Sequence, residues 1–189
     1  MIVEKERSLV LVKPDGVKRG LIGEIVGRIE KTGLKIIGMK MVWADEELAV
    51  EHYPITEEWA KGVFDKAKVS FAERGKEFNP EDHVAYGKLI QKWNMDFLTE
   101  GPVVAVVFEG FHAVSTVRKI VGPTDPSKAP PGTIRGDFLF ESTALANEHD
   151  RTLRNLMHAS GSADEAKREI NLWFVPEELH EYKNIHETH

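Results

Sequence analysis

No cysteine occurs in the 189 residues of this chain. Disulfides, thiolate nucleophiles and cysteine-held zinc are therefore excluded, and a zinc site would have to use histidine and carboxylates alone. A chain without cysteine fits a reducing compartment. Long apolar runs are also missing. Val103 to Phe108 is the longest near the middle of the chain, far short of the ~20 residues that a membrane helix needs. The start, Met1-Ile2-Val3-Glu4-Lys5-Glu6-Arg7, is too charged for a secretory signal. A cytoplasmic location and no membrane partner are expected. Positive charge is not in excess, because 25 Lys and Arg against 31 Asp and Glu leave a net charge of −6. That balance argues against a general nucleic-acid binder. No G-x-x-x-x-G-K-[ST] run is present, which removes the P-loop kinases.

What is present is an ordinary globular composition, 41% apolar and 30% charged. The simplest reading is one domain over 1–189, with a helical insert at roughly 60–98. Ser8 to Val12 is apolar without alternation and reads as a strand covered on both faces. Leu21, Ile22, Ile25, Val26 and Ile29 recur at helical spacing, and Gly33 ends that helix. Lys35 to Trp43 and Val103 to Glu109 read as strands, His112 to Val121 as a helix, and Phe138 to Phe140 as a fourth strand. The order points to an α+β fold, a ferredoxin-like βαββαβ sandwich with a four-stranded antiparallel sheet, the helical insert and a C-terminal extension. Within the insert, Asn79-Pro80 reads as an N-cap and first helical residue, and Tyr86, Leu89, Ile90, Trp93 and Phe97 as a core stripe.

Four clusters could carry chemistry. Asn155-Leu156-Met157-His158-Ala159-Ser160-Gly161-Ser162 puts a histidine near a helix start, and Ser162 with Glu165 fits a capping box. A histidine there can divide its ring nitrogens between a substrate and an orienting partner, and a helix N-terminus suits phosphate. Lys13-Pro14-Asp15-Gly16 is a turn after a buried strand. The bland reading of Lys13, taken alone, is a side chain that snorkels to solvent. Arg118 with Gly122-Pro123-Thr124, and Pro131-Gly132-Thr133-Ile134-Arg135-Gly136-Asp137, add guanidinium forks suited to phosphate oxygens. Glu169 lies far enough along the last helix to fold back toward His158. His52, His83, His112 and His149 sit among polar residues without metal spacing, and a zinc site from His180, His186 and His189 is not favoured in a terminal tail.

These motifs, followed by Glu169-Ile170-Asn171-Leu172-Trp173-Phe174 and Pro176-Glu177-Glu178-Leu179, occur in an order that closely resembles the nucleoside diphosphate kinase family. The resemblance implies a ping-pong transfer of the γ-phosphoryl group of a nucleoside triphosphate to a nucleoside diphosphate. On it, His158 is the nucleophile through Nδ1 and Glu169 holds the other ring nitrogen. Lys13, Tyr53, Arg118, Thr124 and Arg135 match phosphate-binding positions, and Asn155 and Lys13 match those that contact the sugar hydroxyl. It further implies Mg²⁺ carried by the nucleotide phosphates rather than by a protein cage, and a homo-oligomer, hexamer or tetramer. Trp59 or Phe64 is the candidate for stacking on the base. The family commonly reads His-Gly-Ser-Asp-Ser where this chain reads His158-Ala159-Ser160-Gly161-Ser162, so the acid there is replaced by Gly161. The rival reading is a catalytically weak nucleotide-binding or regulatory module of the same fold.

Overall fold

The computed structural model describes residues 4–185. Met1 to Val3, and His186 and His189 of the terminal histidine set, lie outside them. Four strands form one antiparallel sheet: β1 (Lys5–Val12), β2 (Lys35–Val42), β3 (Val103–Phe111) and β4 (Met157–Ala159), in the order β2-β3-β1-β4. That is the order of a ferredoxin-like sandwich. Ser8 to Val12 are all fully buried, as a strand without alternation requires. Successive side chains of β1 point to opposite faces, so the strand feeds two cores. Val10 and Val12 pack with α2 (Ile22–Glu30) and α6 (Ala113–Val121). Leu9 and Leu11 pack with α3 (Glu46–His52), α5 (His83–Thr99) and α9 (Ala163–Trp173).

The fourth strand is not where the apolar run Phe138 to Phe140 places it. Thr133 accepts a hydrogen bond from the Gly136 N–H and caps a short helix, α7 (Ile134–Phe138), and Phe140 is 94% exposed. Three residues carry too little periodicity to separate a strand from a helix end. The strand role falls to Met157–Ala159, which pairs with β1 in the register Leu11↔His158. Opposed residues of an antiparallel pair share a face, so His158 joins Leu11 on the side of α3 and α9.

The stretch after Tyr53 holds α4 (Glu57–Glu73) and α5. The cap of α5 is Asp82, whose carboxylate accepts from the Ala85 N–H at 2.7 Å, and not Asn79. An acidic side chain one turn before the apolar run competes better for those free N–H groups than the more distant Asn79-Pro80. Of the aromatic stripe, Tyr86 and Phe97 are buried and Leu89 is exposed.

Candidate functional site

The nucleophile candidate is positioned by the first sequence motif. Pro14 opens α1 (Pro14–Lys18), where a missing N–H costs nothing. Asp15 accepts from the Leu156 N–H at 3.0 Å, and the Leu156 carbonyl accepts from the Lys13 N–H at 2.8 Å. Leu156 is fully buried and sits at φ 67, a conformation that an apolar L-residue holds only when its surroundings impose it. Gly16 permits this approach: a Cβ there would stand 2.8 Å from the Leu156 carbonyl oxygen. Lys13-Pro14-Asp15-Gly16 thus clamps the residue two before His158.

His158 projects from β4 toward α9. Its Nε2 lies 2.8 Å from Oε1 of Glu169, which is 1% exposed. The two atoms are close, but the N–H direction is not aimed as a full hydrogen bond. Glu169 is held in turn by the Ser160 hydroxyl, which donates to Oε2 at 2.6 Å. Burial pushes the Glu169 carboxyl up, and the Ser160 hydroxyl opposes that shift. Burial, then the nearby Lys13 charge, holds the His158 ring well below the ordinary histidine range, so it is neutral at neutral pH. With Nε2 facing Glu169, Nδ1 is the nitrogen left for a substrate.

A pocket of about 270 Å³ opens beside the ring. Lys13, Tyr53, Arg118, Thr124, Arg135, Asn155 and His158 all line it, so the three basic turns converge as the motifs require. Lys13 does not snorkel. It is buried, its Nζ donates to Asn155 Oδ1 at 3.0 Å, and burial lowers its pKa to about 8. Asn155 donates from Nδ2 to the Thr124 carbonyl at 3.0 Å, which ties the nucleophile segment to the Gly122-Pro123-Thr124 turn. Arg135 is also buried. It donates to the carbonyls of Asn155, Gly122 and Met157 at 3.1, 2.9 and 2.6 Å, so three of its five N–H groups hold the backbone. Burial and the Arg118 charge lower its pKa to about 10. Arg118 and Thr124 stand exposed at the mouth. The Tyr53 hydroxyl is buried without a hydrogen-bond partner, and burial raises its pKa.

Several features of the site are not legible in the sequence. His52, which in sequence sits among polar residues without metal spacing, is buried and packs edge-on against the His158 ring, with centroids 4.6 Å apart. Its Nδ1 accepts from the Trp173 indole at 3.3 Å, and burial lowers its pKa. Donor atoms of His52, His158 and Glu169 lie within 4.8 Å of one another. The adjacent Tyr53 was the one available hint to His52. Asn94 of α5 and Thr152, hydrogen-bonded to each other, also line the pocket. Trp59 and Phe64 are not among its lining residues. Phe64 instead packs with Phe78 and Tyr86 at 5.1 and 6.2 Å. The capping box is half present. Ser162 accepts from the Glu165 N–H, but the Glu165 carboxylate reaches past Ser162 to the Gly161 N–H at 2.6 Å.

The family model described as nucleoside diphosphate kinase matches residues 6–76 and 82–179. A nucleoside diphosphate kinase of Pyrobaculum aerophilum is 46% identical over 178 residues, covering 92% of this chain and 97% of that protein. One of Pyrococcus horikoshii is 47% identical over 180 residues, covering 95% and 91%. Among solved structures, an NDP kinase from Pyrobaculum aerophilum superposes with a TM-score of 0.91 at 44% identity, over 94% of this chain and all of that one. A transition-state mimic of the Borrelia burgdorferi nucleoside-diphosphate kinase, with vanadate and ADP bound, gives 0.78 at 36% identity over 97% and 95%.

Proposed function

The chain belongs to the nucleoside diphosphate kinase family, and on that premise we propose that it moves the γ-phosphoryl group between nucleotides through a phosphohistidine on His158. The observation that carries this reading is the His158 ring with Nε2 against buried Glu169, beside a pocket lined by Lys13, Arg118 and Arg135. In the first half-reaction the Nδ1 lone pair attacks the γ-phosphorus. The bond from that phosphorus to its bridging oxygen breaks, and the nucleoside diphosphate leaves with the electron pair. In the second half, a terminal oxygen of another nucleoside diphosphate attacks, and the P–N bond breaks back onto Nδ1. Nε2 keeps its proton throughout, and Glu169 balances the charge that the ring gains on phosphorylation.

Phosphoryl transfer asks for alignment and positive charge around the moving group. Lys13, Arg118 and Arg135 supply that charge, with Thr124 and Tyr53 as hydroxyl donors to phosphate. Asn155 and Lys13, bonded to each other, are assigned to the sugar hydroxyl. Among the described residues that line the pocket, Glu165 is the one carboxylate, too few for a protein cage and suited to a hydrated Mg²⁺ carried by the nucleotide phosphates. When bound there, that ion neutralises phosphate charge. We assign a homo-oligomer, hexamer or tetramer. Its support is the edge strand β2, whose Met39 and Met41 are 58% and 59% exposed. The rival binding-module reading draws on no particular observation. No helix among the described residues is long and apolar enough to cross a membrane.

The test is direct labelling. After incubation with γ-labelled ATP and Mg²⁺ and removal of nucleotide, the chain should carry label that acid removes and alkali spares. Label retained by His158→Ala overturns the choice of nucleophile. An unlabelled wild-type chain overturns the kinase reading.

A further inference from the structure

The pocket is built for anions, yet a carboxylate stands in it. Glu165 lines the same wall as Arg118, Gly161 and His158, and its charge acts on the His158 ring. An ionised carboxylate facing phosphate oxygens disfavours a free nucleotide through like-charge repulsion. The position is not a chance excursion of a surface side chain. Oε2 is fixed by the Gly161 N–H at 2.6 Å. Gly161 makes that contact possible, because a Cβ there would stand 2.5 Å from the same oxygen. Glu165 also sits one turn before Glu169 on α9, so both project toward the nucleophile. Glu165 also interacts with the Glu169 side chain, and a carboxylate so fixed on the pocket lining is the donor that Mg²⁺ on a nucleotide takes up, directly or through its waters.

We infer that Glu165 makes this site selective for the metal-bound nucleotide: it repels the metal-free diphosphate and gains a contact, direct or through water, with the divalent cation on the charged one. The inference rests on the nucleotide-binding reading above. It concerns recognition before the chemical step, so Glu165 is a specificity residue rather than a member of the phosphoryl relay.

Calorimetric titration with ADP tests it, once with excess Mg²⁺ and once with chelator. Wild type should bind Mg·ADP more tightly than ADP alone. Glu165→Gln keeps an acceptor for the Gly161 N–H and removes the charge. It should bind metal-free ADP more tightly and shrink the metal preference on the order of tenfold, the effect of one unit charge in a partly desolvated pocket. Gly161→Ala should shrink it in the same direction, by pushing the flexible carboxylate aside. Unchanged preference in Glu165→Gln overturns the inference. So does an equal gain for both forms, because that would make Glu165 a mere occupant of the phosphate position. Failure of the wild type to bind ADP in either condition overturns the nucleotide reading itself, and this inference with it.

Discussion

Gly16→Ala is the sharpest perturbation of the link between the first motif and the nucleophile. The added methyl meets two atoms at 2.8 Å, the Leu156 carbonyl oxygen and a Val12 methyl, with an Ile25 methyl at 3.6 Å behind. None of these is the free end of a long side chain. Val12 and Ile25 are fully buried, and the carbonyl is already bonded to the Lys13 N–H. Relief requires the backbone of Leu156 to move several tenths of an ångström, and His158 follows two residues later. Overpacking of this kind costs about 1–3 kcal/mol. For a domain of this length, 2 kcal/mol lowers the melting temperature by roughly 4–8 °C. Misplacement of a reacting group by ~1 Å costs about 100-fold in rate, so a smaller shift should slow phosphohistidine formation about tenfold. Thermal melts and single-turnover labelling of the purified variant read both numbers. Gly62→Ala is the internal contrast. Gly62 lies inside α4 with nothing within 4 Å of the added methyl, so the same substitution should stabilise by about 0.4–1 kcal/mol. Equal melting temperatures for Gly16→Ala and wild type, with unchanged labelling, would refute the argument that glycine is needed there.

Other outcomes follow from the same geometry. Lys13 has its pKa lowered to about 8, so its charge is full below that pH and lost as pH rises through it. ADP affinity should be level from pH 6 to 7.5 and weaken above 8, and a flat profile to pH 9.5 would remove Lys13 from the phosphate site. His158 is held well below the ordinary histidine range, so its labelling rate should not drop as pH falls from 7 to 5.5; a midpoint near 6.5 contradicts a buried neutral ring. Glu169→Gln keeps the shape but removes the charge that balances the phosphorylated ring. Phosphohistidine formation should slow by at least tenfold with ADP affinity nearly unchanged, and a loss confined to affinity would reverse the assignment. Thr56 caps α4 by accepting from the Trp59 N–H at 3.1 Å. Thr56→Ala should therefore cost about 1 kcal/mol in a denaturant melt and leave labelling intact.

Legibility in the sequence followed the range of the interaction concerned. β1 and α2 could be read because burial on two faces, or along one stripe, writes itself into consecutive residues. The Ser162 cap could be read because its partner is three residues away. The fourth strand was misplaced because β4 is short, and its role comes from pairing with β1, a neighbour far off in the chain. Lys13 could be found as a motif residue, but its burial could not. Burial depends on partners such as Asn155, 142 residues further along the chain. His52 had only its neighbour Tyr53 as a signal, since nothing else nearby in sequence announces the contact with His158 or the bond from Trp173.

The sequence by itself determined the first three strands, the helices α2 and α6, the family, and most of the groups that meet at the pocket. Those features reside in residue type and spacing, which survive without coordinates. Only the tertiary structure decided that Lys13 is buried, which arginine N–H groups already hold the backbone, and where the carboxylate beside Gly161 stands. Each depends on distances between segments far apart in the chain, or on which way a side chain turns, and no local pattern encodes either.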